Sequence, residues 1–136
     1  MPLRRASAAL ALLFVVLGCG TSSAATKPLP VLRATLKQDG GKLTLHRGQE
    51  LRVVLQSTYW EFKAVSAPSV LRLVGKPVVR PKSGCVPGAG CGTVTVTYVA
   101  KALGSAVVSA ARTSCGEAMG CTGDAGSYTL TVSVRS

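Results

Sequence analysis

Apolar and polar side chains alternate with a period of two from Val31 to the end of the chain, and clusters of Gly, Pro and Ser interrupt the alternation. This pattern is typical of strands that have one buried and one solvated face. For example, Val94, Val96 and Tyr98 alternate with three threonines. No segment after residue 18 has helical periodicity. The pattern predicts strands at residues 31–37, 42–47, 50–56, 59–65, 69–74, 77–80, 93–99, 105–112 and 127–134.

The number and spacing of these segments indicate the fold class. Segments 69–74 and 77–80 are short and interrupted by proline, which suits edge positions. Seven to eight strands in a domain of this length predict an all-β, immunoglobulin-like antiparallel β-sandwich. Trp60 is expected to be its central core residue, because sandwiches of this type commonly bury a tryptophan on the corresponding strand.

An up-and-down order of strands places alternate connections at the same end of the sandwich. The strands that begin at residues 50, 59, 69, 93, 105 and 127 are labelled B to G. The BC loop (57–58), the DE loop (82–92) and the FG loop (113–126) are then expected to share one end. The other end has short turns without side chains that suggest a site.

The start of the chain has the features of an export signal. Two arginines precede an apolar run that ends at Leu17 and is too short to span a bilayer as a helix. Residues 16–19, Val-Leu-Gly-Cys, resemble the lipobox of bacterial lipoproteins, in which the cysteine is acylated and becomes the new amino terminus. The resemblance implies a signal peptide at 1–18, a lipid on Cys19 and a location at the extracytoplasmic face of the cell membrane.

Residues 19–30 are rich in Ser, Thr, Ala and Pro, and this composition predicts a flexible, lipidated tether before the folded domain at 31–136. Two acyl chains on one cysteine would hold the chain stably at a membrane. Ordinary secretion is the alternative, since Ala24 and Ala25 also offer small residues for cleavage.

The protein has a formal net charge of +11 at pH 7. Without Arg4 and Arg5 of the signal, 14 Lys and Arg stand against 5 Asp and Glu, which leaves +9. In an exported protein this balance favours attraction to anionic lipid headgroups or cell-wall polymers. The cations are spread singly along the strands and are not interleaved with aromatic residues, so we predict no nucleic-acid partner.

Four cysteines in the predicted domain form two pairs of equal spacing, Cys85 with Cys91 and Cys115 with Cys121. An even count in an oxidising compartment favours two disulfides. Zinc is the competing interpretation, but the spacings are longer than those usual between paired ligands, and His46 is far away in sequence. We therefore predict no metal and no cofactor. Two local bridges are preferred, and pairings between the two loops stay possible if the loops touch.

The chain lacks the residue set of a catalytic site. His46 has no carboxylate or nucleophile placed by a motif, and the 5 carboxylates form no close pair suited to acid and base roles. Cys115, although it follows a serine, is better used in a bridge than as a nucleophile. The sequence therefore predicts a protein that is not an enzyme.

Four short motifs occur in order along the predicted domain: Thr58-Tyr59-Trp60, a Gly-rich segment at 88–92, Leu103-Gly104 and Arg112. Their order and spacing over about residues 41–134 resemble those of chagasin-type inhibitors of papain-like cysteine proteases. The resemblance implies an immunoglobulin-like domain whose BC, DE and FG loops enter the active-site cleft of the protease. The residues it assigns to the contact are Thr58, Tyr59, Gly88, Ala89, Gly90, Gly92 and Arg112.

Two loops depart from that family's pattern. Residues 56–59 lack the Asn, Pro and Gly of the family's first loop, and Thr113 follows Arg112 where the family has proline. Immunoglobulin-like repeats of bacterial adhesins offer a comparable pattern at 69–71 and 104–108. The sequence therefore predicts a membrane-anchored, non-enzymatic binding protein with a partner such as a cysteine protease. The alternative is a structural or cell-envelope domain without inhibitory activity.

Overall fold

The structure is a computed structural model that describes residue 20 and residues 22–136, so the predicted signal peptide and Cys19 lie outside the described residues. Within them, eight strands form two four-stranded sheets and two further strands form a hairpin. The first sheet has the order β1 (Leu32–Ala34), β3 (Glu50–Gln56), β6 (Gly92–Ala100), β5 (Leu71–Pro81). The second has the order β2 (Gly41–His46), β10 (Ser127–Arg135), β7 (Gly104–Ala111), β4 (Glu61–Phe62). The hairpin consists of β8 (Ser114–Gly116) and β9 (Met119–Gly120).

The two sheets enclose one core, and the predicted all-β, immunoglobulin-like sandwich is confirmed. Val94, Val96 and Tyr98 of β6 face inward and are buried, while the threonines between them are only half-buried. Trp60 is also in this core, as predicted, and its indole Nε1 donates to the carbonyl oxygen of Gln56 at 2.8 Å. Full burial of one such apolar side chain contributes about 1.5–3 kcal/mol.

Two strand pairs depart from the antiparallel order. β1 is parallel to β3 and β2 is parallel to β10, because the chain passes from the first sheet to the second after Ala34. This passage is a 3-10 turn at Leu36–Gln38. The side chain of Gln38 accepts from the backbone N of Thr35 at 2.7 Å as part of a capping box, which ends the strand. The predicted strand 31–37 is therefore wrong in its second half.

The predicted strand 59–65 is reduced to the two residues of β4. Beyond Phe62 the chain contacts β7 only at intervals, where the backbone N of Lys63 and of Ser66 donate to carbonyl oxygens of β7. Ala64, which the period-two pattern of the predicted strand places on the same face as Trp60, is exposed.

The two predicted strands 69–74 and 77–80 form the single strand β5, with a register shift between Val74 and Val78. Gly75 has a φ of 70° at this shift, so the interruption bends the strand without ending it. β5 lies at the edge of the first sheet, as predicted.

The described residues before β1 reach the sandwich at one end, called the base. Residues 22–30 are exposed and contain no helix or strand. The carbonyl oxygen of Pro30 accepts from the side chain of Gln49 at 2.8 Å, in the turn between β2 and β3. Gln49 is 5% exposed, so this contact attaches Pro30 to the sandwich through a nearly buried side chain. No helix of the described residues is long and apolar enough to cross a membrane.

Candidate functional site

The BC, DE and FG loops meet at the end of the sandwich opposite the base, as the order of strands predicts. The BC loop is longer than predicted and includes Tyr59, because β4 begins only at Glu61. The backbone N of Thr58 donates to the carbonyl oxygen of Gly90 at 2.8 Å, which joins the BC and DE loops. The backbone N of Glu117 donates to the carbonyl oxygen of Gly88 at 2.8 Å, which joins the FG and DE loops. The DE loop therefore connects the other two, and the three loops together are called the loop end.

The carbonyl oxygen of Gly88 is a shared acceptor at the loop end. It accepts from the hydroxyl of Tyr59 at 2.8 Å and from the backbone N of Glu117 at 2.8 Å. A carbonyl oxygen has two lone pairs and can accept both bonds. Each such bond contributes about 1 kcal/mol to stability. One backbone atom thus connects all three loops.

Two glycines allow the loops to approach closely. Gly90 has a φ of 64°, and a Cβ atom there would collide with the ring of Tyr59. Gly116 is buried, and a Cβ atom there would lie 3.1 Å from the carbonyl oxygen of Ala89. The DE loop is therefore held between an aromatic ring of the BC loop and the backbone of the FG loop.

Both predicted local disulfides are present. Cys85 is bonded to Cys91 within the DE loop, and Cys115 is bonded to Cys121 within the FG loop. The pairings between loops, which the sequence left open, do not occur. In the chain-entropy account each bridge contributes about 2 kcal/mol by restricting the unfolded chain. Across the described residues, no group of three or more His, Cys, Asp and Glu could hold a metal ion.

Arg112 connects the core to the end of the FG loop. Its guanidinium lies over the ring of Trp60, 4.6 Å from the ring centroid, and its Nε donates to the carbonyl oxygen of Ala125 at 2.9 Å. A cation over an indole face contributes about 0.5–2 kcal/mol. Arg112 is half-buried and shapes the loop through these two contacts.

The structure brings all seven predicted contact residues together at the loop end. Gly88 is exposed, and the other six are half-buried. Tyr59 and Arg112 are bonded to neighbouring loop segments, so they support the surface from within. Their direct contact with a partner stays a prediction.

Two apolar side chains at the loop end were not predicted from the sequence. Val86 of the DE loop is 60% exposed and Met119 of the FG loop is 64% exposed. No other large apolar side chain in the described residues is more exposed than these two. Each is the only large apolar residue between its pair of bridged cysteines, and this signal could have identified it.

Backbone strain in the described residues is concentrated at the loop end. Three non-glycine residues have positive φ: Ser57 at 98°, Glu117 at 45° and Ala118 at 63°. Glu117 and Ala118 form the tight turn between β8 and β9, a geometry that glycine or asparagine adopts more readily. Strained conformations of this kind cluster at binding sites, where surrounding contacts hold them.

The solved structures that are similar to this chain include those of amebosin and EhICP2. The solution structure of amebosin has a TM-score of 0.55 at 12% identity, covering 78% of this chain and 99% of amebosin. The crystal structure of the cysteine protease inhibitor EhICP2 from Entamoeba histolytica has a TM-score of 0.54 at 11% identity, covering 77% and 95%. At such low identity the similarity establishes the fold. No protein-family model and no curated protein sequence matches the chain.

Proposed function

We propose that this protein inhibits papain-like cysteine proteases by inserting the loop end into the active-site cleft of the protease. The main support for the proposal is that the BC, DE and FG loops are joined by hydrogen bonds to the carbonyl oxygen of Gly88. The fold is shared with EhICP2, which is a cysteine protease inhibitor. The motifs that resemble chagasin-type inhibitors fall mainly on the same three loops.

A preformed surface binds more tightly than a flexible one, because less conformational freedom is lost on association. At the loop end, two disulfides and the shared acceptor Gly88 already restrict the loops before binding. Val86 and Met119 supply exposed apolar contact area on the DE and FG loops. These two side chains take the place of contact residues that the BC and FG loops lack relative to the chagasin type.

The BC loop has a conformation that suits an inhibitor better than a substrate. Ser57 has a φ of 98°, and its hydroxyl accepts from the backbone N of Tyr59 at 3.2 Å. This tight turn differs from an extended peptide, whose backbone can pair with a partner along its length. Such a turn could fill a cleft that binds extended peptides. It would not place any of its own peptide bonds in the position for cleavage.

Titration of papain with the purified protein tests the proposal. We expect reversible loss of protease activity at or below micromolar protein, and about tenfold weaker inhibition by Met119→Asp and by Val86→Asp, as for truncated contact residues of other interfaces. The matched control is Leu103→Asp, since Leu103 is 57% exposed but lies at the base. Undiminished papain activity at micromolar protein, or equal losses in all three variants, would contradict the proposal.

We also propose that Cys19 carries a lipid that holds the protein at the extracytoplasmic face of a membrane. The tether of residues 19–30 would span at most about 40 Å when extended. It joins the sandwich at the base, where Pro30 contacts Gln49, so the loop end would point away from the membrane. This orientation would leave the loops accessible to a protease in solution.

Mass spectrometry of the protein purified from its native membrane tests the anchor. The mature chain is expected to begin at Cys19 with a diacylglycerol group, and Cys19→Ala is expected to release the protein or to accumulate the precursor. A mature chain that begins at Ala25 or Thr26 without lipid would instead identify ordinary secretion.

A further inference from the structure

The outer face of the first sheet has a cleft of about 430 Å³ that is separate from the loop end. All four strands contribute to it: Arg33 from β1, Arg52 from β3, Arg80 from β5 and three threonines from β6. The arginines are scattered in sequence, and the sheet places them around one concavity. The cations are spread singly along the sequence, but the fold brings these three arginines together.

One end of the cleft has two arginines in direct register. Arg33 lies opposite Arg52 in the parallel ladder, and Arg52 lies opposite Thr97. Like charges directly opposite each other in a sheet are destabilising. None of the residues that line the cleft is acidic. The nearest carboxylate along β3 is that of Glu50, which does not line the cleft. This end is therefore suited to an external anion.

The floor and the far end of the cleft have different chemistry. Val54, Thr95 and Val78 lie in one row across the three strands, and Val54 is only 6% exposed although it faces outward. Arg80 lies opposite Thr93 at the far end. The rows of Thr97 and Thr93 are about 13 Å apart along β6, because a strand rises about 3.3 Å per residue. Cationic groups thus flank a floor of apolar and hydroxyl side chains.

We infer that this cleft binds a linear anionic polysaccharide. Its acidic groups contact Arg33 and Arg52 at one end and Arg80 at the other, since guanidinium groups bind carboxylate, sulfate or phosphate in bidentate geometry. Sugar rings between these groups lie over Val54 and Val78 and bond to the threonine hydroxyls. A single small anion cannot span the cleft, and the absence of aromatic residues from its lining disfavours stacked nucleic-acid bases.

Binding of sulfated oligosaccharides of defined length to the full mature protein tests the inference. We expect a heparin octasaccharide to bind at least about tenfold more tightly than the disaccharide, because only the longer chain reaches both ends, and each charge-assisted contact is of this size. Arg52→Gln and Arg80→Gln are each expected to weaken octasaccharide binding by about tenfold. The charge-matched control is Arg47→Gln, an exposed residue at the base, with less than about twofold effect.

Two further readouts separate binding at this cleft from binding at the loop end and from general attraction to anionic surfaces. Arg33→Gln should raise the thermal unfolding temperature of the unliganded protein while weakening octasaccharide binding, since it removes the repulsion from Arg52. Inhibition of papain should be unchanged in all cleft variants, so the two proposals fail independently. Equal affinity for both oligosaccharides, equal losses in Arg47→Gln and Arg80→Gln, or tighter binding to phosphatidylglycerol vesicles than to the octasaccharide would overturn the inference.

Discussion

At the scale of single residues, the contacts of Tyr59 show why a sequence motif identifies a site more readily than it identifies a role. The sequence pattern places Tyr59 directly after the BC loop, and in the structure Tyr59 belongs to that loop, because β4 begins only at Glu61. Its hydroxyl bonds to Gly88 and its ring packs against Gly90, contacts that depend on a partner loop about thirty residues away in sequence. Alternation along the chain carries no information about such contacts, so the supporting role could not be predicted.

The close approach of Gly90 to Tyr59 gives the first prediction. Gly90→Ala should displace the ring, separate the BC and DE loops, and weaken inhibition of papain by about tenfold or more. Gly84→Ala is the matched control, because Gly84 lies in the same loop at a φ of 73° with nothing within 4 Å of its Cβ position. Both variants have the same left-handed strain of about 1 kcal/mol. Equal inhibition by the two variants would show that the contact with Tyr59 is dispensable.

A buried hydroxyl gives the second prediction. Tyr128 is fully buried, and its hydroxyl has no hydrogen-bond partner in the described part of the chain. Tyr128→Phe is therefore expected to raise the free energy of unfolding by about 1 kcal/mol, measured by urea denaturation. Tyr59→Phe makes the same chemical change but removes the bond to Gly88, so it should lower stability by about 0.5–1.5 kcal/mol. If Tyr128→Phe lowers the free energy of unfolding, the hydroxyl of Tyr128 has a hydrogen-bond partner in solution.

At the scale of elements, the β8–β9 hairpin combines a strained turn with a disulfide. Glu117 and Ala118 have left-handed backbone conformations, and Cys115–Cys121 encloses the turn. The local pairing of these cysteines could be predicted from their spacing and the intervening glycines. The hairpin itself could not, since its strands are only two or three residues long and have no clear alternation.

Removal of this bridge gives the third prediction. The double variant Cys115→Ser, Cys121→Ser should lower the free energy of unfolding by about 2 kcal/mol and weaken papain inhibition, because Met119 loses its fixed position. The corresponding double variant of Cys85 and Cys91 should lose a similar amount of stability. Urea denaturation and papain titration measure the two effects. Unchanged inhibition by both double variants would show that the bridges stabilise the fold without shaping the binding surface.

At the scale of the whole molecule, the fold class and the meeting of the loops followed from period-two alternation and the order of strands. The parallel pairing of β1 with β3 could not be predicted, because alternation specifies which face of a strand is buried and not which neighbour it pairs with. The cleft of Arg33, Arg52 and Arg80 was missed for the same reason. Only the register between distant strands brings these residues together.

Alkaline unfolding gives a fourth prediction. Burial raises the pKa of Tyr98 to about 12, and burial, aided by the charges of Asp39 and Tyr98, raises the pKa of Tyr128 to about 12. Above pH 10 the unfolded chain therefore binds fewer protons than the folded chain, and stability falls as pH rises towards 12. The free energy of unfolding falls by at most about 1.4 kcal/mol per tyrosine per pH unit. Tyr128→Phe should halve the part of this pH dependence that comes from Tyr98 and Tyr128. Urea denaturation at pH 9, 10 and 11 measures it, and constant stability over this range would contradict the burial of both hydroxyls.

Recognition of a protease through the loop end can be tested directly by hydrogen–deuterium exchange of the protein alone and in complex with papain whose active-site cysteine is blocked. We expect slower exchange on binding in the BC loop, in residues 83–90 and in residues 117–119. Residues 47–49 and 101–103 at the base should exchange at the same rate in both states. Protection confined to the base or to the outer face of the first sheet would contradict recognition through the loop end.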